Sequence, residues 1–113
     1  MNHVAELAYF TDNVQAMTEF YKNLLGQDPN HADDNMAIFM VGQTKLFIHK
    51  TYDAGENDLP PENHLAFAVS NLDETCDALK QKSLTLEEEP KEYYWGKSAY
   101  LRDPDGHLIE LAE

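Results

Sequence analysis

The chain has one cysteine among its 113 residues, Cys76, so no disulfide can form within it. That fits a reducing cytoplasm and leaves no thiolate set for a structural zinc site. Cys76 falls in register with Leu72 and Leu79 on a predicted helix, which makes it a buried spacer. Basic residues are scarce: eight Lys and Arg stand against 21 Asp and Glu, for a formal net charge of −13. Nucleic acids and anionic membranes are gripped by basic patches, so both are excluded as partners. No apolar run approaches the roughly 18 residues of a membrane span. Met1 to Glu6 shows no basic stretch leading into an apolar core, so no secretory signal is expected. Glycine and proline number only five each. Where they cluster they mark breaks: Gly55, Pro60 and Pro61 mark a linker, and Pro104 with Gly106 marks a turn.

The acids gather in two runs. One holds Asp53, Glu56, Asp58 and Glu62, the other Glu87, Glu88, Glu89 and Glu92. They read as solvated surface, with a groove for a cationic ligand as the sharper alternative.

The chain also contains an internal repeat, the feature that decides architecture when it is present. His64 to Leu72 matches Glu6 to Val14 at a spacing of 58 positions, and Ser98 to Leu111 matches Ala37 to Lys50 at 61. Each half predicts the order β-α-β-β-β. A strand runs from about Ala5 to Thr11, with Glu6, Ala8 and Phe10 on one face. Asp12 or Asn13 caps a helix carrying Val14, Met17, Phe20, Tyr21, Leu24 and Leu25, and Gly26 stops it. Gln27 to Asn35 is polar and holds a short strand or loop. Met36 to Val41 and Lys45 to Lys50 form a hairpin. In the second half, His64 to Ser70 is a strand and Asn71 or Asp73 caps a helix. Leu84 to Glu88 is a short strand, Tyr93 to Arg102 is strand-like, Asp103-Pro104-Asp105-Gly106 is a turn, and His107 to Leu111 is the last strand. One domain of 113 residues is expected: a first module over about 1–52, a linker at 53–62 and a second module over about 63–113.

The repeat places acid or imidazole groups at related positions, Glu6 with His64 and His49 with Glu110. Small neighbours such as Ala8, Ala66 and Ala68 leave room beside them. Four such side chains suit a divalent metal of the Zn, Ni, Fe, Mn or Co class, with two coordination positions left for substrate oxygens. His3 offers an imidazole on the same strand at the opposite parity and would need a bulge to replace Glu6.

Three segments carry a family resemblance. They are Phe20-Tyr21-x-x-Leu24-Leu25-Gly26, Asn63-His64-Leu65-Ala66-Phe67-Ala68-Val69, and Asp103-Pro104-Asp105-Gly106-His107-Leu108-Ile109-Glu110-Leu111. Together they resemble the vicinal-oxygen-chelate superfamily of glyoxalase I, bleomycin resistance proteins, fosfomycin resistance enzymes and extradiol dioxygenases. The resemblance implies an α+β fold: two βαβββ modules forming a half-open mixed β-barrel with helices outside, often as a homodimer around a divalent metal. By position, His64 and Glu110 match the family's second-module ligands. Glu6 and His49 fall where many members have His and Glu.

The implied function is a metal-dependent lyase or isomerase acting on a small oxygenated substrate, with Glu6 or Glu110 moving a proton. Tyr93, Tyr94, Trp95 and Tyr100 would line the apolar part of the pocket, and Lys97 would meet an anion. A metal-free binding protein of the bleomycin-resistance type is the alternative from another class. An extradiol-type dioxygenase using His49, His64 and Glu110 is a third reading. Fosfomycin enzymes resemble the chain less, because it offers few cations for a phosphonate.

Overall fold

Two asparagines start the two helices. Asn13 precedes α1, Val14–Leu25, and its side-chain oxygen accepts from the Ala16 N–H at 3.4 Å. Asn71 precedes α2, Leu72–Gln81, and accepts from the Glu74 N–H at 3.1 Å. Each satisfies a donor that a helix start leaves without an internal partner. Gly26 ends α1 at φ 66°, and its N–H donates to the Lys22 carbonyl. Only glycine adopts that left-handed conformation at little cost.

The computed structural model describes residues 1–55, 59 and 61–113. Glu56, Asn57, Asp58 and Pro60, part of the expected linker and its acidic run, lie outside the described residues. The strands are β1 (His3–Thr11), β2 (His31–Ala32), β3 (Met36–Val41), β4 (Thr44–Lys50), β5 (His64–Ala68), β6 (Leu86–Tyr93), β7 (Gly96–Arg102) and β8 (Leu108–Ala112). They are hydrogen-bonded in the order β2-β3-β4-β1-β5-β8-β7-β6. β1 with β4 and β5 with β8 are parallel, and the hairpins are antiparallel. The order has two ends, so the sheet stays open. This is the expected α+β fold of two βαβββ modules. Among the described residues, no helix is long and apolar enough to cross a membrane.

Contacts divide the chain into two compact units, Glu6–Asn63 and Met1–Ala5 with His64–Glu113. In Glu6–Asn63, the buried Ala37, Phe39, Leu46 and Ile48 meet Met17, Tyr21 and Leu25 of α1. Alternation puts Glu6, Ala8, Phe10, Phe47 and His49 on the opposite face of these strands. In the other unit, Leu72 and Cys76 of α2 pack on Val69, Ala99, Leu101 and Leu111. Burying a leucine such as Leu72 or Leu111 contributes about 1.5–3 kcal/mol. His64, Ala66, Ser98, Tyr100 and Glu110 then face away from α2 by the same alternation. The start of β1 joins this unit through Asn2, whose N–H donates to the Ala68 carbonyl at 2.8 Å.

One expected strand is replaced. Tyr93 to Arg102 is not continuous: β6 ends at Tyr93, Tyr94 and Trp95 turn, and β7 begins at Gly96. Gly96 sits at φ 138°, which frees the chain to reverse without a standard turn dipeptide. β6 consequently runs longer than Leu84 to Glu88, and it is an edge strand. The acids Glu87, Glu88, Glu89 and Glu92, with Pro90, lie along that edge. Charge and proline on an edge discourage pairing with another chain. Glu87 meets Arg102 at 2.8 Å and Glu89 meets Lys80 at 2.6 Å.

Candidate metal centre

Strand register brings His64 and Glu110 together. His64 pairs with Leu108 and Ala66 with Glu110, so Glu110 lies two residues further along the parallel strands on the same face. Two residues span about 7 Å, which the two side chains close: His64 Nε2 lies 3.0 Å from Glu110 Oε1. Their side chains are 13% and 6% exposed, so the pair is largely out of water. Ala66, beside Glu110 in the ladder, adds no bulk there.

Glu110 is held on its other oxygen too. Ser98, fully buried, donates from its hydroxyl to Glu110 Oε2 at 2.7 Å. Burial alone would push the Glu110 carboxyl up. Hydrogen bonds from His64 and Ser98, the His64 charge and a smaller contribution from the Trp95 N–H outweigh it and hold the carboxyl below its usual range. An ionised carboxylate and an imidazole converging in a buried corner are a borderline donor set, and they fit a divalent transition ion. Neutral imidazole and ionised carboxylate are the forms that ligate.

A ring chain leads from this corner to solvent. Tyr100, 3% exposed, meets His64 edge-on at 6.3 Å and Tyr93 at 6.1 Å. Tyr93 stacks on Trp95 at 4.5 Å with an interplanar angle of 5°. Trp95 is 47% exposed and Tyr94 98%. The family model "Glyoxalase/Bleomycin resistance protein/Dioxygenase superfamily" matches residues 1–111. The chain belongs to this family.

Three proteins illustrate what the chain is similar to. A metallothiol transferase FosB from Shouchella clausii is 26% identical, over 98% of this chain and 80% of its own length. A probable lactoylglutathione lyase from Vibrio cholerae is 29% identical, over 84% of this chain and 78% of its own. A solved methylmalonyl-CoA epimerase from Streptomyces coelicolor superimposes with a TM-score of 0.72 at 18% identity, over 98% of this chain and 93% of that one; it speaks for the fold. The named activities are all enzymatic, and members of this superfamily generally use a divalent metal.

The other expected site residues are placed as follows. Glu6 pairs in register with Lys45, whose ammonium lies 3.9 Å from its carboxylate. His49 pairs with Phe10, four residues further along the same strands, about 13 Å from Glu6. The residue two beyond the partner of Glu6, the position corresponding to Glu110, is Phe47. The His49 ring lies among Phe10, Phe47 and Tyr52, with Nδ1 2.7 Å from the Lys50 carbonyl. His3 is exposed at the start of β1. Lys97 is engaged by Asp73 at 2.7 Å, which raises its pKa, the hydrogen bond being the main cause. Ser98, which sequence reading did not include, enters the site as a hydrogen-bonding group, and Trp95, expected as apolar lining, donates to it.

Proposed function

We propose that this chain is a glyoxalase-type metalloenzyme, a lyase or isomerase acting on a small oxygenated substrate. The observation that carries the reading is the buried His64–Glu110 pair, 3.0 Å apart on the face turned away from α2, in a member of this family. We assign His64 and Glu110 as residues that hold the ion, with Glu6 as a further ligand on the strength of the sequence repeat. The relation of Glu6 to His64 in the repeat supports that role. His49 serves in this reading as part of an aromatic wall.

When bound, a divalent ion supplies Lewis-acid polarisation of substrate oxygens. His64 would offer a neutral imidazole nitrogen to the ion. Glu110 keeps one oxygen fixed on Ser98 and stays in place. Glu6, with a side chain 21% exposed against 6% for Glu110, is the carboxylate able to shift, and it takes the proton next to the substrate carbonyl and returns it. Tyr100 and Tyr93 exclude water beside His64. The name of the lyase relative favours a lyase reading. Assembly as a homodimer belongs to this reading and is checked by light scattering.

Metal analysis of the purified protein beside His64→Ala and Glu110→Ala tests the assignment. About one divalent ion per chain is expected in the parent, with a loss of at least roughly 10–100-fold in affinity in either variant. Equal metal content in all three would overturn the enzyme reading built on this pair, and a parent without metal would leave a metal-free sequestering protein. Turnover of α-keto aldehydes with thiols then tests the substrate class.

A further inference from the structure

Behind Glu110 runs a line of donors that begins on a half-exposed turn. The Trp95 indole N–H donates to Ser98 Oγ at 3.4 Å, a long hydrogen bond, and Ser98 Oγ donates to Glu110 Oε2 at 2.7 Å. The sense of this line is forced. The indole nitrogen can only donate and an ionised carboxylate can only accept, so the hydroxyl must accept from one and give to the other. Linked bonds of one sense polarise each other. Ser98 is sealed from solvent, so no water substitutes readily for a lost partner.

The indole is itself held in place. It stacks on Tyr93, and the β6–β7 ladder pairs Tyr93 with Gly96, so the strands fix both ends of the Tyr94-Trp95 turn. The consequence for the carboxylate is positional. Oε2 is taken from behind, and Oε1 is the oxygen turned to His64 Nε2 at 3.0 Å.

We propose that Trp95 is a positioning residue which, through Ser98, orients Glu110 so that Oε1 is the oxygen presented to the ion. This rests on the metal reading of His64 and Glu110, and it extends the site to a turn that carries no ligand. Removing a partner that orients a ligand typically costs roughly 10–100-fold in metal affinity.

The test measures Zn²⁺ binding to chelator-stripped protein by calorimetry for the parent, Trp95→Phe, Ser98→Ala and the double variant. Phenylalanine keeps an aromatic ring for Tyr93 while removing the N–H and the second ring. Affinity should fall about tenfold in Trp95→Phe and roughly 10–100-fold in Ser98→Ala. The double variant should be little worse than Ser98→Ala, because Trp95 acts mainly through that hydroxyl. Additive losses would mark a merely structural role and overturn the proposal. A second readout needs no substitution: Trp95 is the only tryptophan, so the parent has one indole N–H resonance. That resonance should move as Zn²⁺ is added, and a stationary one overturns the proposal even where Trp95→Phe does not fold. A parent that takes up no ion defeats this inference and the metal reading together. A parent that binds Zn²⁺ while Trp95→Phe matches it within twofold defeats the inference alone.

Discussion

Removing the Ser98 hydroxyl breaks two linked hydrogen bonds in a sealed place. In metal-free protein, Ser98→Ala deletes a 2.7 Å donor to an ionised carboxylate and the acceptor for the Trp95 N–H. Hydrogen bonds to charged groups contribute about 1.5–3 kcal/mol, and the stranded oxygen keeps its desolvation cost. We therefore expect a loss of about 2–3 kcal/mol at pH 7, from a total that for domains of this size is about 5–15 kcal/mol. At about 4 °C per kcal/mol, the melting temperature should drop by roughly 8–12 °C. The loss should depend on pH. Glu110 is held below its usual range in the fold, despite burial, by His64 and Ser98. A depressed carboxyl stabilises the fold above its unfolded value, about 4.3, and that contribution disappears as pH falls through the lower folded value. Ser98→Ala moves the folded value back up, so the gap between variant and parent should be widest near neutrality and narrow below about pH 4. Urea melts of chelator-treated protein at several pH values measure it. A gap that is absent, or constant from pH 7 to pH 3, would refute the reasoning.

Gly96→Ala should destabilise by about 1–3 kcal/mol through backbone strain alone, since φ is 138° and an added Cβ meets nothing within 4 Å. The urea midpoint should fall with an unchanged slope. Cys76 should resist thiol reagents in the folded protein at pH 8 and react quickly in denaturant. It is 1% exposed, and burial first, then the charge of Glu89, pushes its thiol up; rapid labelling of the native state would contradict this.

The helices were legible because their limits are chemical: asparagine before each, and Gly26 after the first. The pairing of His64 with Glu110 was legible because alternation puts both on one face. His49 illustrates the limit of that signal. Side chains in strands alternate with period two, so sliding β4 by two residues leaves each on its original face and the hydrophobic pattern unchanged. The repeat match therefore aligned His49 with Glu110, while the ladder pairs Phe10 with His49 and Ala8 with Phe47. The β6–β7 hairpin was hidden for another reason: Tyr94 and Trp95 are strand-formers by propensity, and only Gly96 signals the reversal. Ser98 gives no sign within its strand. Its role emerges from register, which pairs it with Ala112 and so sets it diagonally beside Glu110.

The unit that carries His64 and Glu110 borrows its first residues from the opposite end of the chain. Asn2 reaches Ser70 through its side-chain amide at 3.0 Å, across a separation of 68 positions. Closing so wide a loop costs entropy before any bond is made, and such closures come late. Residues 6–63, by contrast, are continuous and have their own buried cluster. During synthesis, residues 2–5 must wait for residues 64–113 to emerge, while the stretch between them already has its neighbours.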